Sequence, residues 1–207
     1  MRQYSFDIGI WHSDDIFAPI RNKKDCIELL MKTLKIMITN QEVSEENKYG
    51  EIKLIVAKMS RLFYFSENKY FSINFPFTVA DADDGLVFSS ENTLDIDSKI
   101  TSQVLGIIST SNSFNSNCLY DFLDPISSIV DSNSNFWSFL KELLLFEDGY
   151  IRYEYDEENE NGLIHPLNHY DVFYSSNSTF KVGLKNKIGH TSLIDLLQVE
   201  SNCHFFE

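Results

Sequence analysis

A chain of 207 residues that is 43% hydrophobic and 14% aromatic carries enough apolar material for one packed core, which excludes an extended or disordered polymer. Its formal net charge of -14 opposes long contact with phosphate backbones or anionic lipid, because such contacts draw on Lys and Arg. Direct nucleic-acid binding is therefore disfavoured, and the acidity suits solubility or a basic partner.

The opening stretch MRQYSFDIGIWHSDD holds no apolar run of signal-peptide length, and no segment reaches the roughly eighteen uninterrupted apolar residues of a membrane span. Cys26, Cys118 and Cys203 are far apart, without C-x-x-C spacing, and resemble neither a disulfide framework nor a zinc ribbon. The expected location is the reducing cytoplasm, with no membrane partner.

From Asn22, NKKDCIELLMKTLKIMITN places Ile27, Leu30, Met31, Leu34 and Ile38 at three- and four-residue intervals, which predicts an amphipathic helix. EIKLIVAKM, RLFYFS and YFSINFPFTV follow as β-branched and aromatic runs joined by short turns, a first antiparallel meander. VADADDGLVFSSEN reads as a loop. TLDIDSKITSQVLGIIST spaces Ile96, Ile100, Val104 and Ile107 helically, and STSNSFNSN reads as an inter-helix loop. CLYDFLDPISSIVD reads as a short helix with Pro125 in or near its first turn. SNSNFWSFLKELLLFEDG supplies a capped, apolar helix with a stop at Gly149. YIRYEYD, HYDVFYSS and TFKVGL then make a second meander, and TSLIDLLQV is a short helix capped by Thr191 or Ser192.

This order predicts an α+β fold, antiparallel β-meanders with helices packed on the sheet, as a single domain over 1–207. Its parts are an N-terminal helix and first meander over 1–80, a helical middle over 94–147, and a C-terminal meander and helix over 149–207.

The chemistry-bearing stretch is YIRYEYDEENENGLIHPLNHYDVFYSS. His165, His169 and Asp171 have the donor types of a zinc or non-haem iron site, with His190, Cys203 or His204 as further donors. An H-x-x-x-H pair converges on a helix, whereas Gly162 and Pro166 here mark a strand entry, so His169 and Asp171 share a strand face and His165 needs a bend to join them. The commoner alternative is a histidine that fixes a hairpin loop. A second candidate, Glu51 and Lys53 of GEIKL, mimics part of a metal-dependent nuclease site but lacks an adjoining acid, with Asp14, Asp15 and Asp25 as distant choices. Lys181, Lys185, Lys187 and three histidines face a single acid, Asp171, between Ile164 and Ser192, so with Arg152 they could receive a phosphate or carboxylate. No nucleophile elbow or glycine-rich phosphate loop occurs.

The series Ile151-Arg152, Tyr155-Asp156, Gly162, Ile164-His165-Pro166, His169, Phe180-Lys181-Val182 and the closing Leu193 to Leu197 resembles the C-terminal part of an uncharacterised prokaryotic domain family of unknown function, with an I-R-x-x-Y-D … I-H-P-x-x-H motif. The family pattern has a further histidine where this chain has Asp171. The resemblance implies a bacterial, cytoplasmic protein and an accessory role in a mobile or phage-defence operon, without an activity.

The expected function is a non-catalytic accessory or partner-binding subunit, leaning against an enzyme, with a protein partner and no cofactor. The alternatives are a metal-assisted hydrolase or nuclease and an acidic immunity-type inhibitor. The residues expected to bind are Arg152, His165, His169, Asp171 and Lys181, with no catalytic residue and no metal ligand assigned.

Overall fold

A computed structural model describes residues 1–83, 85–91, 95–109, 118–131, 133–175 and 178–200. The fold is α+β. The expected loop over 110–117 and the candidate donors Cys203 and His204 lie outside the described residues. The chain forms two compact units, each assembled from separated segments: unit 1 from residues 1–11, 43–75 and 148–207, and unit 2 from 12–42 and 76–147.

Unit 1 is a seven-stranded antiparallel sheet in the order β1-β2-β3-β4-β7-β8-β9. Its strands are β1 Arg2–Gly9, β2 Lys48–Val56, β3 Arg61–Phe65, β4 Lys69–Asn74, β7 Ile151–Tyr155, β8 Asn168–Ser175 and β9 Ser178–Leu184. The two expected meanders are therefore halves of one sheet, joined where Lys69 faces Glu154 and Phe71 faces Arg152. Strand β1 precedes the expected first helix. Its Phe6 and Ile8 are buried, as the alternation of Tyr4, Phe6 and Ile8 with Gln3, Ser5 and Asp7 requires.

Because successive side chains in a strand point to opposite faces, each strand serves two environments. One face carries Ile55, Phe63, Phe65, Tyr70 and Tyr153, which form a core with Leu193 of helix α6, His190–Leu197. Tyr153 also donates its hydroxyl to Asn168 Oδ1 at 2.7 Å, so the phenol is both packed and paired. Helix α6 begins at His190 with Gly189 as its N-cap, earlier than the expected Thr191 or Ser192. The His190 ring stacks on Phe65 at 4.2 Å between centroids, and this aromatic contact brings the first helical residue onto the sheet. The opposite face carries buried Ile52, Leu54, Leu62, Tyr64, Phe71 and Ile73 on the central strands, then changes to charged residues on β7, β8 and β9.

Among its described residues unit 2 holds five α-helices, α1 Ser13–Ile16, α2 Lys23–Thr39, α3 Ser98–Ser109, α4 Leu119–Val130 and α5 Phe136–Leu145, with the hairpin β5 Thr78–Ala82 and β6 Gly85–Ser89. Asn22 caps α2 by accepting the Asp25 N–H at 3.1 Å, and Asn40 ends it in the left-handed region at φ 41. Ile27, Leu30, Met31 and Leu34 are buried along α2, as the apolar spacing predicts, while the expected Ile38 is half-buried and Cys26 and Met37 are buried in addition. The stretch expected as a loop is the β5–β6 hairpin, whose strands expose most of their residues and so carry little apolar pattern. Pro125 lies inside α4 rather than in its first turn. Among the described residues no helix is long and apolar enough to cross a membrane.

Candidate functional site

Strand register builds the site. Arg152 of β7 lies opposite Asp171 of β8, Asp171 opposite Lys181 of β9, and Glu154 opposite His169, so four strands bring opposite charges together with Lys69 of β4. All six side chains point away from α6, on the face where β-sheet alternation also places Phe71 and Phe173. Arg152 lies over the Phe173 ring, 5.7 Å from its centroid.

The contacts use both oxygens of Asp171. Arg152 Nη2 donates to Oδ2 at 2.5 Å and Lys181 Nζ to Oδ1 at 2.7 Å. Arg152 Nη2 also lies 3.0 Å from Glu154 Oε2, and Lys69 Nζ is 3.9 Å from Glu154 Oε1. Burial alone would raise the Asp171 pKa, but the hydrogen bonds from Lys181 and Arg152 outweigh it and hold the carboxyl below its ordinary value. Burial likewise disfavours the charged form of Arg152, yet the neighbouring Tyr150, Glu154 and Asp171 raise its pKa.

His169 is fully buried. Its Nδ1 sits 2.8 Å from the Pro166 carbonyl, which can only accept, so Nδ1 carries a proton. Its Nε2 sits 2.9 Å from the Lys181 ammonium, which can only donate, so Nε2 presents its lone pair. These contacts fix the neutral Nδ1–H tautomer.

The chain between β7 and β8 folds back over this face. An Asn161–His165 bridge closes its tip, and the His165 ring stands edge-on to His169 with centroids 4.7 Å apart. This turn is the bend that His165 needs to join His169. His165 Nε2 lies 3.2 Å from Asp156 Oδ2, and Asp156 also accepts from the Asn159 backbone at 3.1 Å. Burial would raise the Asp156 pKa, but the Asn159 hydrogen bonds and the nearby histidines lower it. Pro166 packs over Gly183 of β9: a Cβ there would lie 3.0 Å from Pro166 Cγ, so glycine makes room for the returning loop.

The structure therefore brings Arg152, His169, Asp171 and Lys181 into one network, with His165 stacked on its edge. Glu154, His169 and Asp171 offer three donor atoms within 4.8 Å of one another, in place of the expected His165, His169 and Asp171 set. Glu154 joins through Arg152 on its own strand, and Lys69, from the other half of the chain, joins through its cross-strand pairing with Glu154. The alternation in YIRYEYD already put Glu154 on the Arg152 face, but nothing local in the sequence signals that β4 lies beside β7.

The remaining candidates lie elsewhere. Lys187 donates to Asn68 at 3.1 Å and sits over the Tyr155 ring, so it does not join Lys181 in one basic face. Glu51 and Lys53 pair at 3.3 Å on the α6 side of the sheet, where Lys53 also approaches Phe65. Burial, together with Lys53, lowers the His190 pKa there, against the opposing pull of Glu51. Of the acids proposed to complete that pair, Asp15 binds Lys32 at 2.7 Å and Asp25 accepts the Arg21 N–H at 2.8 Å, all within unit 2. Comparisons with family models, with curated proteins and with solved structures return no match for this chain.

Proposed function

We propose that the chain is a non-catalytic accessory or partner-binding subunit of a bacterial multi-protein system, with phage defence the setting suggested by its C-terminal motif. The observation that carries this reading is that the best-formed polar cluster spends its chemistry on itself. Both Asp171 oxygens and both His169 nitrogens have partners from the same sheet or its loop. A general base needs an available lone pair facing substrate, and here the His169 lone pair faces an ammonium.

What the cluster does mechanically is hold the β7–β8 loop in place. The tip of that loop presents Leu163 and Ile164, 100% and 79% exposed, a pair of apolar side chains that water solvates poorly. Beside it, Glu154, Asp156, Glu157 and Glu158 line an open cleft of about 440 Å³ with Asn68, Lys69, Tyr155 and Asn159. An apolar tip next to an acidic cleft suits a protein partner with an apolar depression and a basic rim.

The test is co-expression with the products of the flanking genes, purification, and mass measurement of what remains associated. A stable complex that Leu163→Asp with Ile164→Asp dissolves, while the free chain keeps its melting temperature, supports the proposal. A lone monomer with turnover of its own, lost on substitution of His169, would instead establish the metal-assisted hydrolase or nuclease reading.

A further inference from the structure

We propose that Glu154, His169 and Asp171 form a divalent-cation site in which the Lys181 ammonium is the resident cation, and that a transition metal such as Zn²⁺ displaces it.

The ammonium nitrogen occupies a position that a metal would favour. It lies 2.9 Å from the His169 Nε2 lone pair and 2.7 Å from Asp171 Oδ1. Zinc binds nitrogen and oxygen donors at about 2.0–2.2 Å, so an ion in that place requires these two donors to close in by less than about 1 Å. Glu154 Oε2 lies 4.0 Å from His169 Nε2, wider than the roughly 3.3–3.6 Å between two donors on a tetrahedral zinc, and would close in by about half an ångström to supply the third ligand. Imidazole with carboxylates is a donor set that zinc and its neighbours accept.

The surroundings match the support that metal ligands need. His169 gives its other ring N–H to the Pro166 carbonyl, the contact that fixes tautomer and orientation in metal-bound histidines. Arg152 holds Asp171 by Oδ2, leaving Asp171 Oδ1 to the cation, and its contact with Glu154 Oε2 means that a metal would share that oxygen with the guanidinium. The resident cation is also free to leave. Lys181 sits on β9, an edge strand of the sheet, and its side chain is 31% exposed on a flexible stem. The opposing groups are Arg152 and Lys69, whose positive charges disfavour a divalent ion and set the site's affinity below that of an all-acid cage. His165, stacked on His169, and Asp156, paired with His165, complete the charged surroundings.

Calorimetric titration of the full chain with Zn²⁺ tests this. The Lys181→Met variant should bind at least about tenfold more tightly than wild type, because the competing cation is gone. His169→Gln in the Lys181→Met background should abolish that gain. In wild type, imidazole nitrogen NMR should show His169 Nε2 moving on metal addition while Nδ1 keeps its protonated signature, a readout that does not depend on the variants folding. Affinity in Lys181→Met no greater than in wild type, a gain that survives His169→Gln, or an unmoved Nε2 at saturating Zn²⁺ would each overturn the proposal.

Discussion

Arg61 and Arg152 both enter the sheet of unit 1, from opposite faces, and meet opposite fates. Arg61, 6% exposed on the α6 side, donates to Ser72 Oγ at 2.9 Å, Asn74 Oδ1 at 2.6 Å and the Gly149 carbonyl at 2.5 Å. Among the described residues it meets no carboxylate within ion-pair distance, and burial lowers its pKa to about 10. Arg152, 17% exposed in its side chain, pairs with Asp171 and Glu154, and its pKa rises although burial acts to lower it, as it does for Arg61. Partner charge, more than depth, decides the protonation energetics of a buried guanidinium. Arg61 instead serves as a neutral-acceptor clasp at the point where the Asn74 N–H meets the Asp148 carbonyl at 2.8 Å and the chain enters β7.

The contrast breaks first under substitution. Asp171→Ala strands Arg152 and Lys181 beside one another, and the loss of a charged partner from a largely buried cluster should cost about 3–5 kcal/mol in urea unfolding. Arg61→Met leaves only neutral acceptors behind and should cost less, about 1–3 kcal/mol. Equal losses would mean that the two arginines are held by the same physics. Gly149→Ala tests the clasp from the backbone side. Gly149 has φ +55, and a Cβ there would lie 2.7 Å from Asn74 Nδ2, so beyond the roughly 1–2 kcal/mol of left-handed strain it displaces the side chain that accepts from Arg61. A smaller thermal shift than that strain implies would show that Asn74 moves without loss.

Much of this is legible in the sequence, and the exceptions have physical causes. YIRYEYD and HYDVFYSS alternate cleanly, so Arg152, His169 and Asp171 are fixed on one strand face by period-two geometry alone. The pairing of β4 with β7 is not legible, because it joins segments about eighty residues apart and depends on sheet assembly rather than local pattern. This hides Lys69 from the site. Strand β1 carries its alternation in Tyr4, Phe6 and Ile8, a legible period-two signal that the expected order of elements leaves out. The β5–β6 hairpin carried only an Asp-Gly turn signal between strands with few buried residues. The position of Lys181 on the His169 lone pair, which changes the chemistry of the site, is invisible without the register of β9 against β8.

The smallest expected effect separates the two faces by pH. Asp171 and Asp156 have folded pKa values below the ordinary 3.8, so the unfolded chain binds their protons more readily. Their stabilisation is complete above that value and is lost as pH falls through the lower folded values. His190 on the other face also has a folded pKa below its ordinary 6.5, here because the neutral ring is favoured between Phe65 and Tyr70 with Lys53 nearby. Protons again bind the unfolded chain first, so its contribution is full above 6.5 and falls as pH drops through the folded value. His190→Phe keeps an aromatic ring to stack on Phe65 while removing the proton. The difference in unfolding free energy between wild type and this variant should therefore change below about pH 6.5 and be flat below the folded pKa of His190, where the carboxylates titrate. A difference that instead tracks the acidic limb would join the two faces into one titrating system, with Glu51 and Lys53 the groups through which His190 senses charge.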